Sequence, residues 1–169
     1  MLYNIYLNET PIINFSNDLI HWINPKGNNN NIDISTKFNE NYSYTDTHLL
    51  FNKNNKELEV FWRSLNFQNN EVTIYVKKTK DCINWSEKEI FIRSNDLKKQ
   101  EYISPSIIID KNIYKIWYVH NNKIFYFECN GKNFITPRII DINYDKNCKI
   151  RFIDIFFNEE KKFFKGTYK

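Results

Sequence analysis

The sequence predicts an all-β protein assembled from repeated four-strand units. Three observations predict it. β-branched and aromatic runs, such as VTIYV at 72–76, alternate with polar turns. No window sustains helical spacing over three turns. A turn signature also recurs along the chain, as described next.

Residues 3–22 read YNIYLNETPIINFSNDLIHW and 114–134 read YKIWYVHNNKIFYFECNGKNF. Both are strand, polar turn, strand, tight turn, aromatic. A third copy, 58–85, has a longer loop at 65–70. Asp18, Asp81 and Asn130 each stand four residues before Trp22, Trp85 and Phe134, and Pro25 and Pro137 follow the aromatic by three. Gly is scarce, so Asn and Asp, which tolerate left-handed backbone, make the turns. A second element precedes the first: 48–63, 106–119 and 154–168 are each a short apolar strand, a polar turn and another strand.

Joined in order, one unit is four strands, and units recur about every 50 to 60 residues, the spacing of propeller blades. A sandwich of simple meanders is the other architecture, but sandwiches rarely repeat a turn signature in register. The expected fold is an incomplete β-propeller of four-stranded antiparallel blades. It holds two full blades, 45–93 and 103–142, and a partial blade at each end, 1–36 and 150–169. A closed propeller needs at least about four blades. The expectation is therefore a truncated or split form, or a chain that closes by pairing with a second copy or a companion chain. Open strand edges on the partial blades point the same way.

Composition narrows the function. With 41% hydrophobic, 26% charged and 17% aromatic residues the chain is that of a folded globular protein. The net charge of +4 is spread among Asn and Glu rather than gathered in a basic block, so nucleic acid is not an expected partner. Cys82, Cys129 and Cys148 form no CxxC pair and imply neither a disulfide framework nor a zinc site. No stretch reaches the roughly 20 apolar residues that cross a bilayer, and the N-terminus lacks a basic lead and a cleavage site. The expected setting is cytoplasmic, with a phage virion as the other.

The turns S-N-D-L-I-H-W at 16–22 and T-K-D-C-I-N-W at 79–85 resemble the Asp-box of sialidases and related propeller glycosidases. That family has Gly after the Asp, where this chain has Leu19, Cys82 and, in the third copy, Gly131. In such a turn the carboxylate caps main-chain N–H groups and the aromatic packs between strands, so Asp18 and Asp81 are expected to serve the fold. Y-T-D-T-H-L at 44–49 resembles the Tyr-Ser-Asp-Pro-His-Leu strand start of five-bladed propeller glycoside hydrolases of the arabinanase, fructosidase and sialidase type, with Thr47 in place of Pro. Ser104-Pro105-Ser106 resembles the Ser-Pro-Ala start of a neighbouring blade. Phe152-Ile153-Asp154-Ile155 resembles a degraded His-x-Asp-Val start.

The resemblance implies a protein that acts on, or descends from one that acts on, polysaccharide. In a propeller the inner strands gather their N-terminal ends at one mouth, and side chains two apart share a face, so Asp46 and His48 point together. Aligned on Leu50-Phe51, Ile108-Ile109 and Phe156-Phe157, Asp154 is level with His48 and Ser106, and Asp46 with Ser104. Glycoside hydrolysis uses two carboxyl groups roughly 5 to 9.5 Å apart, one protonating the leaving oxygen and one activating water or attacking the sugar. Asp46 and Asp154 are the candidate catalytic pair.

His48, Arg63, Trp62 and Trp117 are the candidate substrate-binding residues. Arg63 is suited to steady a carboxylate or bind an acidic sugar, and the tryptophans to stack on pyranose rings. Each has a structural reading too. Asp46 is then a strand-start turn residue, Asp154 a buried hydrogen-bonded Asp, and the tryptophans core. Glu101, beside Lys98 and Lys99, is a loop glutamate or a channel-mouth acid. No metal or other cofactor is expected. The alternative function is a non-catalytic carbohydrate-binding or assembly module of a phage or cell surface.

Overall fold

The computed structural model describes residues 14–23, 42–97, 102–130, 133–142, 149–158 and 163–168. Most of the expected partial blade 1–36 lies outside them, as do Pro25, Glu101, Gly131 and Cys148. The protein is all-β, with antiparallel four-stranded sheets and no helix among the described residues. The chain divides into two compact units, Met1–Leu97 and Lys98–Lys169.

In the first unit β1 (Tyr42–Asn52), β2 (Glu57–Asn66), β3 (Glu71–Thr79) and β4 (Glu89–Ser94) form one sheet in the order β1-β2-β3-β4. The loops 53–56 and 67–70 are built alike. Each follows an asparagine whose Oδ1 accepts loop N–H groups: Asn52 from Asn54 at 3.1 Å, Asn66 from Asn69 at 3.1 Å. Each ends in a left-handed residue, Lys56 (φ 54°) or Asn70 (φ 55°). The amide of Asn52 donates at 2.9 Å to Glu59, whose side chain is fully buried, so the cap and the buried carboxylate satisfy each other. Asn66 donates to the Tyr42 hydroxyl at 3.0 Å.

β2 is buried on both faces. Val60 and Trp62 pack with Phe15, Tyr44, Leu58, Tyr75 and Trp85. Phe61, on the other face, meets Phe91 edge-on with ring centroids 4.9 Å apart. The 14–23 segment closes on itself through a Phe15–Ile23 bridge, with hydrogen bonds of 2.9 and 2.8 Å.

In the second unit β5 (Ile103–Asp110), β6 (Ile113–His120) and β7 (Lys123–Asn130) form a meander. Two-residue turns join them, Lys111-Asn112 (φ 50° and 64°) and Asn121-Asn122 (φ 47° and 57°). Positive φ at both positions marks the turn whose twist matches that of the strands. The next strand runs along β7 in two pieces, β8 (Asn133–Phe134) and β9 (Arg138–Ile140). Pro137 stands in the break, and with no N–H it offers the ladder nothing. β10 (Ile153–Asn158) pairs with β11 (Phe163–Tyr168) in a separate two-stranded sheet. Trp117, Val119, Ile124, Tyr126, Ile150 and Ile153 form the core here, so β10 is packed on the meander.

Candidate functional site

Both first strands carry the same irregularity. β1 shifts register against β2 between Thr45 and His48, so Asp46 and Thr47 together face Trp62. β5 shifts against β6 between Ile103 and Ser106, so Ser104 and Pro105 together face Tyr118. Asp46 (φ 55°) and Ser104 (φ 48°) are both left-handed, the conformation that bulges of this kind usually give to glycine. Asp46 is thus level with Ser104, and His48 with Ser106, as the sequence alignment expects. A non-glycine residue held left-handed costs about 1–2 kcal/mol, which surrounding contacts must offset.

The contacts at Asp46 are visible. Its Oδ2 lies 2.7 Å from Nη2 of Arg63, with the side chains 24% and 10% exposed. The extra residue of the bulge turns the carboxylate onto the face of β2 that carries Arg63. His48, half-buried, lies over Phe61 with ring centroids 6.5 Å apart. Carboxylate, guanidinium and imidazole therefore share the N-terminal half of one sheet.

Asp154 belongs to the second unit, on β10, where it is exposed. Its Oδ1 lies 3.5 Å from Oγ of Ser106. Ser106 is 1% exposed and accepts the Ile155 N–H at 2.9 Å. Trp62 and Trp117 are taken up by the cores of their sheets, Trp62 against Tyr75 at 5.7 Å and Trp117 against Tyr126 at 4.8 Å. Trp62 is 0% exposed and Trp117 8%, which leaves neither a face for a sugar.

The turns at Asp18 and Asp81 have one geometry. Asp18 Oδ1 accepts the N–H groups of Ile20 and His21 at 2.9 and 2.7 Å. Asp81 Oδ1 accepts those of Ile83 and Asn84 at the same distances, 2.9 and 2.7 Å. The residues after them, Leu19 and Cys82, have φ of 63° and 61°, which is the physical reason a glycine suits that slot. His21 Nδ1 lies 2.6 Å from Asp18 Oδ2. The pair is no catalytic dyad, because Asn84 Nδ2 makes the matching bond to Asp81 at 2.7 Å and Ser16 donates to Asp18 rather than to the imidazole. These bonds hold both carboxyls well below the usual range; the largest cause is the His21 side chain at Asp18 and the Asn84 N–H at Asp81. Trp85 joins the Val60–Trp62 core, whereas Trp22 is 58% exposed.

Sequence reasoning did not single out the cluster of Tyr126, Glu128 and Arg138. The Tyr126 hydroxyl donates to Glu128, and the Arg138 guanidinium lies over the Tyr126 ring at 4.9 Å. Burial first, then Glu128, pushes the phenol well above its ordinary value. Its only signal in the sequence was the two-residue spacing of Tyr126 and Glu128 on a strand. Among the described residues no group of His, Cys, Asp and Glu could hold a metal ion.

No family model matches the chain, and no curated protein matches it in sequence. Its fold is similar to the crystal structure of an N-acetylgalactosamine deacetylase from F. plautii in complex with blood group B trisaccharide. The TM-score is 0.83 at 16% identity, covering 100% of this chain. This chain spans 56% of the length of that one. At that identity the likeness speaks for the fold.

Proposed function

We propose that this chain is a carbohydrate-acting protein of propeller type, similar to the glycoside hydrolases whose strand-start motifs it resembles. In the first unit the sugar is met at the N-terminal half of β1, by Asp46, His48 and Arg63; in the second, taken by itself, the residue assigned to it is Asp154. The observation that carries the reading is the Asp46–Arg63 pair on a left-handed bulge. Strain of this kind persists where the surroundings over-determine it and tends to gather at functional sites. An acceptor and a planar donor side by side also suit a sugar, whose neighbouring hydroxyls both donate and accept. Fold likeness, over all of this chain and 56% of the other, to a structure in complex with a trisaccharide is in keeping with a carbohydrate ligand. Asp46 in the first unit and Asp154 in the second are the carboxyl groups assigned to chemistry, of the kind that protonates a leaving oxygen or activates water.

A second reading has a specific observation in its favour. The similar structure is that of a deacetylase, so the bond hydrolysed is an N-acetyl amide in this version rather than a glycosidic bond. One experiment separates the two. The chain is incubated with arabinan, a fructan, sialyllactose, N-acetylgalactosamine and blood group B trisaccharide, and products are read by mass spectrometry. Shortened saccharide supports glycoside hydrolysis, and released acetate supports deacetylation. Binding without turnover leaves the chain a carbohydrate-binding module. No binding to any member overturns the proposal.

A further inference from the structure

We infer that Ser106 is a positioning residue for Asp154, an inference that builds on the proposed sugar site. Ser106 follows the Ser104 bulge and is 1% exposed, where a hydroxyl needs partners. The sheets of β5 and β10 share no strand ladder. Instead the Ser106 hydroxyl spans the gap across 49 residues of sequence, accepting the Ile155 N–H at 2.9 Å. Its own proton has two acceptors at the limit of reach, Asp154 Oδ1 at 3.5 Å and the Ile155 carbonyl at 3.4 Å. One hydroxyl thus holds the main chain next to Asp154 and stands beside its carboxylate. Ile153, on the other side of Asp154, is anchored in the apolar core. The exposed carboxylate is therefore fixed from both flanking residues, which is what a reacting group on an exposed strand requires.

The bulge explains why the hydroxyl lies there. Ser104 and Pro105 together oppose Tyr118, and Ser106 resumes pairing opposite Trp117. Without the extra residue, the side chains preceding the shift would keep strict alternation with those after it.

The test uses the full chain and needs no sugar. Ser106→Ala is compared with Ser106→Thr, which keeps the oxygen. Two signals are read by NMR: amide exchange at Ile155, and the 13C carboxyl resonance of Asp154 at constant pH. In Ser106→Ala exchange at Ile155 is expected to rise between about twofold and tenfold, the effect of one lost hydrogen bond. The Asp154 resonance moves, that of Asp110 stays, and Ser106→Thr restores both. Unchanged signals in Ser106→Ala overturn the inference. So does a general rise across β5 and β10 that threonine fails to reverse, which marks a packing role alone. Should the alanine variant not fold, the native chain decides: a protected Ile155 amide with a nuclear Overhauser contact to the Ser106 β-protons supports the clamp, and its absence overturns it. An Asp154→Asn chain that binds and turns over the saccharide panel like the native one would sink the sugar site while leaving the clamp standing.

Discussion

The two larger sheets share a scaffold and differ in what stands on it. Both begin with a strand in which the two residues before the first resumed pair form a bulge, the first of the two being left-handed. In the first sheet the bulge carries Asp46, ion-paired at 2.7 Å to Arg63 of the next strand. In the second it carries Ser104, and the carboxylate near that level is Asp154, on β10 and beside Ser106. The lesson is that the backbone device is independent of the chemistry mounted on it. Each bulge holds a non-glycine residue left-handed, and the residue placed there and its neighbours decide whether a charge stands on it.

Several substitutions sharpen or break this comparison. The largest effect is expected at the residue opposite the first bulge. Trp62→Ala removes a ring that is 0% exposed and should destabilise the protein by about 3–5 kcal/mol in urea unfolding. A loss under about 1 kcal/mol would mean that the ring is not the anchor of its sheet. Next comes the first bulge itself. Asp46→Gly loses the ion pair with the largely buried Arg63 and should cost about 1–3 kcal/mol. No cost would show that the Asp46–Arg63 pair contributes nothing to stability.

Much of this was legible in the residues. The repeats, the strand order and the level placing of Asp46 with Ser104 follow from period-two alternation and the fixed Asp-to-aromatic spacing. Arg63 was named without its partner, because the pairing with Asp46 depends on a bulge that Y-T-D-T-H does not announce. Trp62 defeated the alternation argument: in V-F-W-R every side chain is buried, since both faces of β2 are covered. The break between β8 and β9 was foreshadowed only by Pro137. Leu19 and Cys82 were visible as departures from a glycine slot, and their φ values now supply the reason.

That slot yields a smaller effect. Leu19→Gly and Cys82→Gly exchange a left-handed cost of about 1–2 kcal/mol for the entropy of glycine, so each should stabilise by about 0.5–1 kcal/mol in thermal melting. A loss in both would show that the side chains matter more than the strain. The smallest effect is expected from Asp81→Asn, on an exposed turn. Hydrogen bonds depress the Asp81 pKa below its ordinary 3.8, so its stabilisation is complete above that value and fades as pH falls from there through the folded-state value. The melting gap between native chain and variant should therefore be widest near neutral pH and close at the acid end. A gap that does not change with pH would assign the turn's stability to something other than the carboxylate.

The most direct measurement is an NMR titration of the full chain with the saccharide panel, repeated on Asp46→Asn. Shifts concentrated at residues 45–48 and 63 in the native chain, and lost in the variant, are expected if the bulged ion pair meets the sugar. Shifts confined to other surfaces, or unaltered by the substitution, would contradict it.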